Sequence, residues 1–400
     1  MTTCRLCGAD DLVSVLDLGA TPPCERFLTA AQLDEPEVTY PLHLRVCAAC
    51  RLAQLPPLIT PEDTFTDYAY FSSYSTSWVE HARAFVAGLR LRPDAFVVEV
   101  ASNDGYLLRH VAERGVRCLG VEPSVNVGEA ARRAGVPTVT AFLTPETARA
   151  LVREHGKADH VVANNVYAHV PDVVGFTEGL RTLVADDGWV SIEVQHLLTL
   201  IERNQYDTIY HEHFQYYTVD SAQRALASGG LTLVDVESLP THGGSIRLWA
   251  RLSGTPGERV RDVLAQEKAA GLHDLSGYLG FAARVAKVRR DLLGFLVGAA
   301  EAGKTVAGYG APGKGNTLLN HCGVRPDLLA YTVDRNPYKH GRFTPGARIP
   351  IFEPGRIAAD RPDYVLVLPW NLRDELVGQL SYVHDWGGRL VFPIPELEVV

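Results

Sequence analysis

Four hundred residues at 43.7 kDa exceed one ordinary domain, and 46% hydrophobic with 21% charged residues is the balance of a folded chain, which excludes disorder as its main state. The formal charge of −9, from 38 Lys and Arg against 47 Asp and Glu, argues against general attraction to nucleic acid or to an anionic membrane. No apolar stretch approaches the roughly 20 residues of a membrane-crossing helix, and Met1-Thr2-Thr3-Cys4-Arg5 lacks the basic start and apolar centre of a secretion signal, so a cytoplasmic protein with reduced cysteines is expected.

Four of the seven cysteines form two C-x-x-C pairs, Cys4 with Cys7 and Cys47 with Cys50. Each pair can turn two thiolates toward one ion, and two pairs make a closed tetrahedral site with no open position for chemistry, which suits structural zinc. A redox C-x-x-C would need a strand before it and a helix after it, and that context is missing. Cys24, Cys118 and Cys322 have no partner pattern and read as small packing residues. A segment of about 70 residues has a limited core, so bound metal supplies the missing stability. Prolines 56, 57 and 61 mark its boundary. The run from Tyr68 to Ser75, with Tyr70 and Tyr74, is either linker packing or a loop laid over a ligand.

Residues 95–101 are a short apolar run, read as a buried strand; Ser102-Asn103-Asp104-Gly105 follows as a turn, and a helical pattern opens at Tyr106. A second strand, 116–123, ends in Glu122; a helix over 126–134 and strands near 136–140, 158–165 and 188–194 follow. Alternating strands and helices imply a mostly parallel sheet with ligands at the strand C-terminal ends. Gly105 lets the backbone approach a ligand, and Glu122 is placed to accept hydrogen bonds from two ribose hydroxyls. Glu99 and Asp104 put negative charge where a dinucleotide pyrophosphate would sit, which disfavours NAD and favours a cationic adenosyl ligand, S-adenosylmethionine (SAM). Without a ligand the turn would be a helix cap made by Ser102 or Asn103. An antiparallel hairpin, 231–237 with 244–250 joined through His242 and Gly243, closes the sheet as in class I methyltransferases.

Two polar segments follow the later strands: Asn164 to Asp172, with His169, and Tyr206 to Tyr217, with Tyr210-His211-Glu212-His213 and Tyr216. Three readings compete: a metal site on His211 and His213, a solvated helix start, and a proton-transfer site. The expectation carried forward is the last, because an imidazole removes protons near neutral pH and a second imidazole or phenol stabilises charge on an oxygen.

Residues 254–300 are helical in pattern, and Gly308-Tyr309-Gly310-Ala311-Pro312-Gly313-Lys314-Gly315-Asn316 forms a second strand, glycine-rich turn and helix. It is no Walker A loop; Lys314, Arg335, Lys339 and Arg342 near the strand ends suggest an anion site, the alternative being tight turns in a packing domain.

The full set, in order, resembles the deoxysugar C-methyltransferases that act on nucleotide-linked keto sugars in antibiotic pathways. It comprises the two C-x-x-C pairs; Glu99-Val100-Ala101-Ser102-Asn103-Asp104-Gly105; Asn165 to Asp172; Asp207 to His213; His242-Gly243-Gly244-Ser245; Gly308 to Pro312; Gly315-Asn316-Thr317; and Val333 to Pro337. The resemblance implies an α/β protein of three parts. These are an N-terminal zinc-binding domain (1–70), a central class I SAM methyltransferase domain of Rossmann-like form (71–253), and a C-terminal Rossmann-like domain that binds the sugar nucleotide (254–400). It implies SAM as cofactor, structural zinc, and C-methylation of a dTDP-linked 4-keto-6-deoxysugar beside the ketone, at C3 in preference to C5, by a monomer. His213 is then the general base, and Tyr210, Glu212 and His169 line the sugar site with Tyr70 or Tyr74. Glu99, Ala101, Ser102, Asn103, Asp104, Gly105, Glu122, Asn164 and Asn165 form the cofactor site. His242, Gly243, Gly308, Tyr309, Gly310, Lys314, Asn316 and Arg335 bind substrate. The rival activities are a sugar-nucleotide O-methyltransferase and an NAD-dependent epimerase or reductase.

Overall fold

The computed structural model describes residues 3–61 and 71–400. The chain divides into two compact units that are not contiguous in sequence: residues 1–13, 46–197 and 212–277 form one, and residues 14–45, 198–211 and 278–400 the other.

The first unit is built on a seven-stranded sheet. In chain order its strands are β1 (Phe96–Val100), β2 (Arg117–Glu122), β3 (Thr138–Thr140), β4 (Ala158–Asn164), β5 (Val184–Gln195), β6 (Thr232–Leu239) and β7 (Ser245–Arg251), lying in space as β6-β7-β5-β4-β1-β2-β3. The first five run parallel, and β7 is antiparallel to both β5 and β6. The order reverses direction at β1, so its C-terminal end opens a crevice, the usual ligand position in open α/β sheets. β1 is buried along its whole length, as expected of a central parallel strand covered on both faces.

One face carries Val98, Val100, Val161 and Ile192 in a core that also holds Cys4, Cys47, Cys50 and Leu52. The other carries Val97 and Val162 under helix α1 (Thr76–Gly88), which buries Trp78, Ala82, Phe85 and Val86. Those positions recur at helical spacing, and Ser75 caps the helix by accepting a hydrogen bond from the Trp78 N–H at 3.3 Å. Cys118 lies in this second core, as a packing residue should. β5 begins earlier than expected from sequence: Ala158 pairs with Val184 and His160 with Trp189, so the ladder runs through a register shift before the apolar run the sequence announces.

The second unit has a six-stranded sheet from Val306–Tyr309, Thr332–Val333, Ile351–Phe352, Tyr364–Val367, Arg389–Phe392 and Glu398–Val399, with Val306–Tyr309 and Tyr364–Val367 adjacent at its centre. Its long helix Phe281–Glu301 realises the helical pattern read between 254 and 300. Among the described residues no helix is long and apolar enough to cross a membrane.

Candidate active site

The two cysteine pairs, 40 residues apart in sequence, converge: all four sulfur atoms lie within 4.8 Å of one another. Cys4 Sγ is 3.5 Å from Cys50 Sγ, and Cys7 Sγ is 3.6 Å from Cys47 Sγ. A tetrahedral zinc with bonds of ~2.3 Å sets its sulfurs about 3.8 Å apart, so these four thiolates fit the ion. Among the described residues this is the metal-sized cluster; His211 and His213 belong to none. Instead the His211 ring meets the Tyr40 carbonyl, Nε2 to O 3.0 Å.

At the C-terminal end of β1 the chain turns through Ala101, Asn103 and Gly105, with φ of 55°, 49° and 77°. Alternate residues thus occupy the left-handed region, where a side chain costs on the order of 1–3 kcal/mol. Gly105 has a second reason for lacking a side chain: a Cβ would lie 2.8 Å from Val136 Cγ2. Asn103 is held on two sides, and its neighbour Asp104 on a third. Its N–H donates to Glu122 Oε2 at 2.8 Å, its Oδ1 accepts from the Ser72 N–H at 2.8 Å, and Ser73 N–H bonds the neighbouring Asp104 at 3.1 Å. The sequence showed a single glycine here; the left-handed geometry at 101 and 103 was hidden because Ala and Asn occupy it.

Glu99, Asp104 and Glu122 are all buried around this turn. Burial and the neighbouring Glu122 and Asp104 carboxylates push Glu99 well above the usual carboxylate range. Burial raises Glu122 too, against the lowering effect of the Ser124 and Asn103 N–H groups. Three buried acids with no cation among them in the described residues suit a positively charged ligand, and Asp104 Oδ1, Asn164 Oδ1 and Asn165 Nδ2 are buried without a hydrogen-bond partner. The acceptors among these fit the ammonium and ribose hydroxyl donors of SAM. Since burial raises the Glu122 pKa, its ionised form costs fold stability as pH rises above the unfolded value. Glu122→Gln is therefore expected to leave the ligand-free melting temperature unchanged or higher while weakening SAM binding about ten-fold by calorimetry. Unchanged SAM affinity would remove Glu122 from the site.

The two polar segments meet at the same sheet edge. Phe214 N–H donates to the Ala168 carbonyl at 2.8 Å, and Gln215 Nε2 donates to the carbonyls of Tyr167 and Val170 at 2.7 and 2.9 Å. The His169 and His213 rings stand edge to face with centroids 4.6 Å apart, and Tyr216 lies 5.8 Å from His213. Burial lowers the His169 pKa to about 4 against the raising effect of a bond to the Glu212 backbone, so its ring is neutral at working pH. Glu212 is buried, Tyr210 half-buried. Tyr74 is 53% exposed and stacks on Phe71; Tyr70 lies outside the described residues.

In the second unit, Gly308 pairs with Thr332 within the strand Val306–Tyr309, and Gly310 takes φ 84° where a Cβ would lie 2.6 Å from Pro369. Tyr309 is buried at the strand end, and Asn316 Nδ2 donates to the Cys24 carbonyl at 2.6 Å. Lys314 bonds Asn371 and sits 5.0 Å from the Trp370 ring centroid, while Trp370 Nε1 donates to Asp207 at 2.7 Å. Burial lowers Lys314 to about 8 and raises Asp207 to about 7, each moderated by the other's charge. Lys339 donates to the Ala311 carbonyl at 2.8 Å, leaving Arg335 and Arg342 as the exposed cations.

Sequence reasoning missed Glu193. It is wholly buried on β5, and the signal was a lone carboxylate in the apolar run Ser191-Ile192-Glu193-Val194.

The sheet order, the acid-ringed turn and the cysteine cluster define a SAM-dependent methyltransferase with a structural zinc site. Family models match three stretches of the chain: a zinc binding domain at residues 4–65, a methyltransferase domain at 76–236, and a C-methyltransferase C-terminal domain at 240–395. The chain is 36% identical over 404 residues to the C-methyltransferase NovU of Streptomyces niveus, covering 99% of this chain and 96% of that one. It belongs to this family of C-methyltransferases. Similar solved structures include magnesium protoporphyrin IX methyltransferase of Synechocystis PCC 6803 with bound SAM (16% identity, 44% of this chain and 79% of that chain, TM-score 0.34) and the CcbJ methyltransferase of Streptomyces caelestis (14%, 44% and 90%, 0.35).

Proposed function

We propose that this C-methyltransferase alkylates C3 of a dTDP-linked 4-keto-6-deoxysugar through an enolate. The observation that carries the reading is the His169–His213 pair, one ring held neutral, at the sheet edge that bears the cofactor turn. A 4-keto group acidifies the neighbouring C–H bonds. His213 takes the C3 proton, and the electron pair of that bond moves onto the ketone oxygen. Neutral His169 donates to that oxygen as its charge grows. SAM supplies a methyl group whose bond to sulfur breaks as carbon attacks. The ketone re-forms, and the proton on His213 passes to water. Near-attack alignment of the two reactants is the fold's main contribution to rate.

The test is the product. Purified protein is incubated with SAM and dTDP-4-keto-6-deoxyglucose in deuterated water and the sugar is followed by NMR. A methyl signal on C3 is expected, with deuterium entering at that carbon when SAM is left out. A methyl on C5 would correct the position. A methyl on oxygen, or no methylated sugar at all, would end the reading.

A further inference from the structure

A charged row crosses the antiparallel edge of the first unit's sheet. Glu237, Arg247 and Glu193 are register neighbours on β6, β7 and β5. Glu193, fully buried, accepts from Arg247 Nη2 at 2.8 Å through Oε2, and the His81 ring reaches the same oxygen at 2.8 Å. Its other oxygen accepts from the Thr241 hydroxyl at 2.8 Å. Burial works against the charge, yet these partners hold the Glu193 pKa below the usual range, so the carboxylate is ionised. Replacing the row by apolar side chains would remove its desolvation cost, so stability alone does not account for it.

Thr241 begins a short turn in which three successive residues take positive φ: His242 at 52°, Gly243 at 88° and Gly244 at 134°. The Thr241 carbonyl accepts from the Ser245 hydroxyl at 3.0 Å, and the Gly244 carbonyl from the His196 N–H at 3.1 Å. The His242 ring rests against Trp78, centroids 4.9 Å apart, and Trp78 stacks on both His81 (5.0 Å) and Tyr106 (5.8 Å), the residue that follows the cofactor turn. A left-handed histidine is strained, and it persists only where its surroundings over-determine it.

We propose that Glu193, Arg247 and His81 are positioning residues that act through the Thr241 hydroxyl to hold His242 at the substrate side of the methyl-transfer site. The inference rests on the sugar-nucleotide reading above and adds to it the device that sets sugar affinity. Arg247 and His81 fix the carboxylate, the carboxylate fixes Thr241, and Thr241 fixes the backbone conformation that aims His242.

The test is Thr241→Val, which keeps the shape and removes the hydroxyl, with Thr241→Ser as rescue. For T241V we expect KM for dTDP-4-keto-6-deoxyglucose to rise about ten-fold, with kcat and SAM affinity each within about two-fold of wild type. T241S should restore KM. In protein carrying 15N-labelled histidine, the His242 ring resonances should move in T241V without any ligand, while those of His110 stay. Unchanged KM, a parallel loss of SAM affinity, or an unmoved His242 resonance overturns the proposal. Should wild-type protein turn over no keto-sugar nucleotide, the substrate reading fails, and the His242 resonance still decides whether the tether exists.

Discussion

Replacing His213 by Ala is expected to lower methyl transfer by about a thousand-fold while SAM affinity stays within about two-fold, since a positioned general base contributes roughly 10²–10⁴. The side chain is half-buried, and its segment is tied to the sheet by backbone bonds, Phe214 N–H to Ala168 O and Leu55 N–H to Phe214 O, that the substitution leaves in place. The fold should therefore survive, and the melting temperature reports whether it does. The informative measurement is exchange of the sugar C3 hydrogen with solvent in the absence of SAM. Loss of exchange together with methyl transfer assigns the proton to His213. Retained exchange with lost transfer would give the base to another residue, His169 first, because its ring stands 4.6 Å away. His169→Asn should behave differently. It keeps a neutral donor, so both exchange and transfer should fall less than in His213→Ala.

Removing zinc is expected to have the larger effect on stability. Structural zinc is worth on the order of 10 kcal/mol or more to small Cys4 modules. Here the cysteines do more than close a knuckle. Gln54 Nε2 donates to Cys4 Sγ at 3.1 Å and its Oε1 accepts from the Arg5 N–H at 3.1 Å. Gln54 lies on the two-residue strand Ala53–Gln54, which pairs with Gln215–Tyr216, next in sequence to His213 and Phe214. The Arg5 guanidinium covers the Phe214 ring, 5.3 Å from its centroid. Loss of metal should therefore loosen the His213 segment from one side. Cys47→Ser, or a strong chelator, should lower the melting temperature by more than about 10 °C and abolish methyl transfer, and wild-type protein should contain one zinc per chain by elemental analysis. Unchanged melting with zinc gone would show that the metal is not structural here.

Cysteine spacing announced the metal site because a C-x-x-C turn fixes two ligands through covalent geometry alone. The parallel sheet was legible for a similar reason: Phe96-Val97-Val98 and His160-Val161-Val162-Ala163 are short apolar runs, and a strand buried on both faces needs no other signal. The acids at 99 and 104 were legible as a preference for a cationic ligand, and Glu122, at the end of the next strand, as an acceptor for ribose hydroxyls. What did not show was the left-handed backbone at Ala101 and Asn103, because the groups that hold it lie elsewhere along the chain: the Val121 carbonyl accepts from the Ala101 N–H, and Asn103 bonds Ser72 and Glu122.

By itself, then, the sequence determined the four cysteines that converge as a zinc site, the buried strand and the acid-bearing turn after it, and the membership of His169 and His213 in polar segments after strands. Only the tertiary structure decided that those two rings meet edge to face, that Lys314 turns toward Asn371 and Trp370, and that Glu193 ties Thr241 to Arg247 and His81. The division follows from range. Spacing along the chain sets what neighbouring residues can do, whereas register between strands and the packing of a helix across them choose which distant side chains share one buried charge.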